Sequence, residues 1–271
     1  PCWLPPDVKS TMPAHKQATM NGQPLPLDRS PRATGWVIAT IVIGNSVLDV
    51  ALMTQPSADA LRWVVRSTHG LVRAPLIMCA LEGAVLIAGM MIVTGKLRWA
   101  DVGLDRRKLL PGIAFAVGVW AVVQVVTLAA TAASGDGVAW HPQWTQRPLR
   151  AIGRIASDWL AVAVYEETVY RGFLLTQLRI HLNRWVGGYR WLTLGLAVVI
   201  SQALFSLGHL PYLLHHGLGW EQIPADLVYL FAAGILFAVV YLATCNLFVG
   251  MAVHAMLNAP ALIGMLPNRS R

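Results

Sequence analysis

The chain has 271 residues, of which 56% are hydrophobic and only 13% are charged, and its mean hydropathy is +0.54. Because soluble domains carry about 25% charged residues, this composition excludes an ordinary soluble protein and indicates a membrane protein. The net charge of +8 does not indicate a nucleic-acid partner, because basic residues such as Arg62, Arg66 and Arg73 fall between apolar segments, where they set membrane topology.

Residues 1–33 hold several prolines and polar residues without a sustained period, so we expect a disordered tail. After this tail, apolar segments of about 20 residues recur, the length that crosses a hydrocarbon core roughly 30 Å thick. The predicted spans cover residues 35–54, 71–95, 109–134, 156–180, 191–210, 223–244 and 246–266.

We therefore predict an all-α, polytopic transmembrane bundle of about seven to eight helices, since lipid would leave an open sheet edge unsatisfied. The last two spans are so close in sequence that we expect a hairpin at Cys245 and Asn246. The tail is followed by N-terminal transmembrane helices over residues 34–150 and by a C-terminal transmembrane core over residues 151–271, which carries the polar motifs.

The first motif is a group of charges, Glu166, Glu167 and Arg171, inside the fourth predicted span. A charge at the centre of a membrane helix costs roughly 2.5 to 3.5 kcal/mol, so these residues need partners or a polar cavity. Glu167 and Arg171 lie four residues apart and are predicted to pair on one helix face. Glu166 points about 100° away and is predicted to face a cavity, where it could act as a general base.

Two further motifs follow, Phe205 with His209 at the end of the fifth span, and His254 with Asn258 in the last span. A histidine at a helix end is often only interfacial or hydrogen-bonded. His254 and Asn258 share a helix face and could stabilise an oxyanion, or they could form an interhelical polar clamp.

One carboxylate and two histidines could also form a zinc site with an open position for water. The His-Glu-x-x-His signature of zinc proteases and the Gly-x-Ser-x-Gly nucleophile elbow are both absent from the sequence. A metal is therefore one interpretation of these residues, and a serine nucleophile of that kind is not indicated.

Together the three motifs resemble the CPBP family of intramembrane proteases, which includes the type II CAAX prenyl endopeptidases and the Abi-like bacterial proteins. The family pattern of Glu-Glu-x-x-x-Arg, then Phe-x-x-x-His, then His-x-x-x-Asn is matched in order within residues 150–266. The matching residues are Glu166, Glu167, Arg171, Phe205, His209, His254 and Asn258.

The resemblance implies an endopeptidase that hydrolyses a peptide bond of a membrane-associated protein or peptide, with a prenylated CAAX-type protein as one substrate class. It implies that Glu166 and His209 activate water and that His254 and Asn258 stabilise the oxyanion. Glu167 and Arg171 would hold the first motif in shape, and Phe205 would pack beside His209.

The cofactor stays open at this stage. The same residues suit a divalent metal such as zinc held by Glu166, His209 and His254, and they also suit a glutamate-dependent reaction without metal. The resemblance also implies a multi-pass protein of a bacterial cell membrane, with the lipid bilayer as its surroundings.

Two other functions remain open from the residues alone. The polar motifs could be structural in a non-catalytic immunity or scaffold protein. They could also serve a proton-linked transporter that uses Glu166, Glu82 and the histidines. The transporter is disfavoured because the sequence shows no inverted repeats and no paired spans broken by glycine or proline.

Overall fold

A computed structural model describes residues 39, 43–44, 46–48, 50–94, 104, 108–133, 138–140, 147–186, 189–215, 219–258 and 263–265. The predicted tail over residues 1–33 lies outside these residues, as does part of the first predicted span.

The N-terminal part contains helices α1, Gln55–Ser67, and α2, Ala74–Thr94. Helix α1 begins after Thr54, whose backbone is extended, and has a proline in its first turn, where the missing amide proton has no helical partner to lose. In the sequence this segment lies between the first two predicted spans, where a connection is expected. It folds as a helix because apolar residues recur at helical spacing among its charges.

A tight turn between α1 and α2 contains His69 and Gly70, both with positive φ (52° and 82°). Gly153 packs directly on this turn, and a Cβ atom at that position would overlap the carbonyl oxygen of Gly70. This close approach holds the N-terminal helices against the segment that carries the first motif.

Helix α3 covers Leu109–Ala133 and packs along the last helix of the chain. A Cβ atom on Gly112 would lie only 2.8 Å from Cβ of Phe248. Lys108 strengthens the contact, because its Nζ donates to the carbonyl oxygen of Cys245 at 2.5 Å and its own carbonyl accepts from Nδ2 of Asn246 at 2.9 Å.

The all-helical character is confirmed, and the described part of the chain adds only two strands of three residues each. Strand β1, Val138–Trp140, pairs antiparallel with β2, Ile263–Met265, so that Val138 lies opposite Met265. The strands satisfy each other's backbone donors and acceptors by this pairing.

Residues 148–185 form one continuous helix that contains two π-helical stretches. It consists of α4, Pro148–Arg154, then π1, Ile155–Ala161, then α5, Val162–Glu166, then π2, Glu167–Leu175, then α6, Thr176–Trp185. Each junction residue has right-handed helical φ and ψ. π-Helical turns are rare and occur frequently at functional sites, and π2 carries Glu167 and Arg171 of the first motif.

The C-terminal part contains α7, Arg190–Gly208, α8, Leu210–His215, α9, Ile223–Thr244, and α10, Leu247–Leu257. The hairpin expected at Cys245 and Asn246 is confirmed. Cys245 adopts a left-handed conformation, and the side chain of Asn246 caps α10 by accepting from the amide of Phe248 at 3.1 Å.

Three helical stretches in the described part of the chain are long and apolar enough to cross a membrane, Leu109–Ala130, Arg190–Leu214 and Ile223–Thr244. They match three of the predicted spans. The expected number of seven to eight spans is not confirmed. Helix α10 has 11 residues, about 16 Å at 1.5 Å per residue, which is too short to cross alone.

The hydrophobic core surrounds π2. All nine residues of π2 are buried, and its apolar side chains pack with Phe205 of α7 and Ala238 of α9. The two charged residues of π2 are buried with them, so they must find their partners inside the protein.

Candidate active site

The seven residues of the three motifs come from four elements that meet around π2. Glu166 ends α5, and Glu167 and Arg171 belong to π2. His209 follows the last residue of α7, and Asn258 follows the last residue of α10. The ends of these helices converge, so residues separated by about 90 positions in the sequence become neighbours.

The carboxylate of Glu166 lies between two imidazole rings. Its Oε1 is 3.5 Å from Nε2 of His209, and its Oε2 is 3.5 Å from Nε2 of His254. These separations exceed a direct hydrogen bond of about 2.7 to 3.2 Å. Such looseness is common at catalytic sites before substrate binds.

The orientation of His209 is set by the backbone of its own helix. Its Nδ1 lies 2.9 Å from the carbonyl oxygen of Phe205. A carbonyl oxygen only accepts, so Nδ1 carries a proton and Nε2 is left to face Glu166. The Phe205 ring packs edge-on against the imidazole with centroids 4.8 Å apart. This is the packing that the family resemblance implies.

His254 is buried and contacts both glutamates of the first motif. Its Nδ1 lies 3.0 Å from Oε1 of Glu167 while its Nε2 faces Glu166. The imidazole stacks on the ring of Phe237 with centroids 4.4 Å apart and planes 13° apart. These contacts fix the ring on three sides.

Glu167 and Arg171 form the pair that their spacing predicts. Nη1 of Arg171 lies 3.1 Å from Oε1 of Glu167, and both side chains are fully buried. The contact is an ion pair without an aligned hydrogen bond from Nη1. A buried charge requires such a partner, because removing it leaves the other charge uncompensated.

Arg171 is held by aromatic rings and by one carbonyl. Its guanidinium carbon lies 4.3 Å from the ring centroid of Phe205 and 5.1 Å from that of Phe237. Its Nη2 donates to the carbonyl oxygen of Gly234 at 3.3 Å. Stacking and planar donors are properties of arginine that lysine lacks.

Glycine makes room for this buried charge network at two positions. A Cβ atom on Gly250 would lie 3.0 Å from Oε2 of Glu167, and one on Gly234 would lie 3.3 Å from Nη2 of Arg171. Helices α9 and α10 can therefore approach π2 only because these residues have no side chain.

A cavity of about 770 Å³ opens on the catalytic side of the site. Glu166, His209 and Asn258 line it together, and the side chains of Glu166 and His209 keep 13% and 24% of their surface exposed. His254 and the Glu167–Arg171 pair lie behind Glu166, outside the cavity lining. The site thus has an accessible layer and a buried supporting layer.

Sequence reasoning missed the opposite wall of this cavity. That wall is formed by α1 and α2, including Leu61, Val65, Met78 and Glu82. The available signal was the spacing of apolar residues in the segment around residues 58–66, which recurs at helical intervals. That segment lies between the first two predicted spans, and its charges lower its hydropathy.

A zinc ion in a catalytic site needs three protein ligands around one point. In the described part of the chain, no three His, Cys, Asp or Glu side chains are arranged so that they could hold one metal ion. The Glu166 oxygens instead face one histidine each. The interpretation of Glu166, His209 and His254 as zinc ligands is therefore not carried into the reaction proposed below.

The C-terminal part of the chain is similar to a known protein family. A family model described as type II CAAX prenyl endopeptidase Rce1-like matches residues 148–260. Searches of curated proteins and of solved structures found no match. The matched range starts at α4 and ends beyond Asn258, so it contains all three motifs. The resemblance predicted from these motifs is confirmed, and residues 148–260 carry the pattern of the Rce1-like type II CAAX prenyl endopeptidase family.

Proposed function

We propose that the protein is an intramembrane endopeptidase that hydrolyses a peptide bond of a membrane-associated protein or peptide. The observation that carries this proposal is the placement of Glu166 Oε1 3.5 Å from His209 Nε2 at the edge of a cavity that Asn258 also lines. A carboxylate, an imidazole and an amide donor around one cavity are the groups that water-dependent amide hydrolysis needs.

The first step is activation of water. A water molecule between Glu166 and His209 donates one hydrogen to Glu166 Oε1 and the other to His209 Nε2. Glu166 takes the proton while the water oxygen attacks the carbonyl carbon of the scissile bond. His209 holds the water in line, since its Nδ1 is anchored on the Phe205 carbonyl.

The attack converts the carbonyl oxygen into an oxyanion. Asn258 lines the same cavity, and its Nδ2 can donate a hydrogen bond to that oxygen. The proton held by Glu166 then passes to the nitrogen of the leaving amine, and the carbon–nitrogen bond breaks. The products are a carboxylic acid and an amine, and Glu166 returns to its carboxylate form.

For His254 the oxyanion role stays a prediction, and its contacts support a positioning role as well. The His254 ring lies between Glu167 and Glu166. His254 is not among the residues that line the cavity. We propose that Glu167 and Arg171 hold His254 in place, and that His254 in turn fixes the Glu166 carboxylate against rotation.

The substrate class proposed is a prenylated CAAX-type protein or another membrane-embedded peptide. The name of the matched family supports this class, and the apolar side chains on the cavity wall suit it. We further propose a multi-pass protein of the bacterial cell membrane. The three long apolar helices support the membrane part of this proposal.

Cleavage of a library of prenylated and unmodified peptides by purified protein in nanodiscs tests the proposal, with products read by mass spectrometry. We expect Glu166→Gln and His209→Ala to abolish cleavage without changing folding. Glu221→Gln is the matched control, since Glu221 is exposed in the turn before α9. Full activity of either catalytic variant contradicts the proposal. A biological phenotype retained by both variants would support a scaffold or immunity role instead.

A further inference from the structure

Glu82 is a buried carboxylate that the proposed reaction does not use. It lies in the apolar helix α2, is 4% exposed and lines the same cavity as Glu166. Among the described residues that line this cavity, Glu82 and Glu166 are the acidic ones. A charge within a membrane helix costs roughly 2.5 to 3.5 kcal/mol, so an ionisable residue in this position indicates a function.

The contacts of α2 with the long helix that carries the first motif place Glu82 at the depth of the proposed catalytic base. At the start of α2, Nη1 of Arg73 contacts Oγ of Ser157 at 3.5 Å. Further along α2, a Cβ atom on Gly83 would lie 3.6 Å from Cδ2 of Tyr165. The two helices therefore run in the same direction here. Glu82 precedes Gly83, just as the residue before the catalytic base is Tyr165, so both carboxylates lie at one level of the cavity.

The side chains that precede Glu82 on the cavity face of α2 are weakly polar or apolar. Pro75, Met78 and Cys79 line the cavity at spacings of three and four residues from one another and from Glu82. Such a wall keeps the effective dielectric constant low, and an ion pair is stronger there than in water. A cation inside the cavity would therefore be attracted to Glu82.

Hydrolysis of a peptide bond creates a cation at this depth. The amine that leaves the scissile bond becomes the N-terminus of the released fragment, and a peptide N-terminus with a pKa of about 7.7 to 8.0 is mostly an ammonium at neutral pH. An ammonium donates three hydrogen bonds, and a carboxylate accepts them. The Glu166 carboxylate already faces His209 and His254 with one oxygen each, so Glu82 is the acidic group suited to this ligand.

We propose that Glu82 is a binding site for the ammonium group of the amine product. The neighbouring apolar residues of α2 would contact the first side chains of the released fragment. Peptides with a free N-terminus would therefore bind in the cavity and compete with substrate. This inference rests on the proposed endopeptidase function and adds a product site to it.

The test compares the tripeptide Ala-Leu-Leu-amide, which has a free N-terminus, with its N-acetylated form. Binding is measured by isothermal titration calorimetry on the Glu166→Gln variant in phosphatidylcholine nanodiscs, so that it does not depend on cleavage. We expect the free amine to bind about 10- to 100-fold more tightly, the range of a hydrogen bond to a charged group. Adding Glu82→Gln should remove this difference by weakening binding of the amine only, and Glu82→Asp should keep part of it. Adding Glu221→Gln, in the exposed turn before α9, should leave it unchanged.

Equal binding of the two tripeptides, or binding of neither, overturns the product site. Either result leaves the endopeptidase proposal intact, because that proposal is judged by cleavage. An equal loss for both tripeptides on addition of Glu82→Gln also overturns the site. The peptide N-acetyl-Lys-Leu-Leu-amide carries its ammonium on a side chain, and binding as tight as that of the free N-terminus would contradict the assignment to a new N-terminus.

Carbodiimide coupling gives a second readout that needs no substitution at Glu82. The reagent joins a carboxylate to a neighbouring amine through an amide bond, and mass spectrometry identifies the coupled residue. We expect the free-amine tripeptide to couple to Glu82 in the folded protein. Absence of coupling at Glu82 overturns the site, and this outcome is decisive even where Glu82→Gln fails to fold.

Discussion

The Oε1 atom of Glu167 lies 3.0 Å from Nδ1 of His254, which joins the π-helical turn of the first motif to the last helix. The same oxygen faces Nη1 of Arg171 at 3.1 Å. One buried carboxylate thus orients a histidine that contacts the proposed catalytic base and also neutralises a buried arginine. The buried pair of Glu167 and Arg171 therefore supports, through His254, the position of the exposed Glu166 carboxylate.

Glu167→Gln should damage both stability and activity. The substitution keeps the shape of the side chain but removes the charge that compensates Arg171, and breaking a buried ion pair costs about 3 to 5 kcal/mol. We expect a lower thermal unfolding temperature together with a lower kcat. Thermal unfolding in detergent and cleavage kinetics at a temperature where the variant is folded provide the measurement. An unchanged unfolding temperature would contradict the assigned pairing.

Gly250→Ala should impair catalysis through Glu167. The added methyl group would lie 3.0 Å from Glu167 Oε2, so the carboxylate must give way by a few tenths of an ångström, and we expect this shift to disturb its contact with His254. Gly195→Ala is the matched control, because a Cβ at Gly195 meets nothing within 4 Å. Cleavage rates of the two variants are compared after equal expression and folding are shown. Equal activity would indicate that Glu167 tolerates displacement and does not position His254.

Asn258→Ala should reduce kcat far more than it raises KM. A donor to the oxyanion acts mainly in the transition state, and loss of one such donor costs about 100- to 1,000-fold in kcat. Steady-state kinetics on one cleaved peptide separate the two constants. A raised KM with unchanged kcat would instead assign Asn258 to substrate binding.

Removal of divalent metal should leave activity intact. In the described part of the chain no three candidate ligands are arranged for one ion, and the proposed reaction passes its proton between water and Glu166. Cleavage is measured after treatment with a chelator and again after addition of zinc. Loss with the chelator and recovery with zinc would assign Glu166, His209 and His254 as ligands.

Much of the site could be predicted from local spacing. Glu167 and Arg171 pair because a spacing of four positions puts both side chains on one helix face. The hairpin at Cys245 and Asn246 follows because two apolar spans meet there without a linker. Three spans were predicted closely, since a long apolar helix depends on composition alone. The total of seven to eight spans stays a prediction beyond these three.

The sequence by itself determined that the chain is a membrane protein and which residues form the three motifs, since hydropathy and short spacings are local properties. Only the tertiary structure decided that His254 contacts both glutamates, that π2 is buried throughout and that α1 forms a wall of the cavity. These relationships join residues far apart in sequence. Their physical basis is the packing of helices against one another, including close approaches at Gly234 and Gly250, and no local pattern in the chain specifies it.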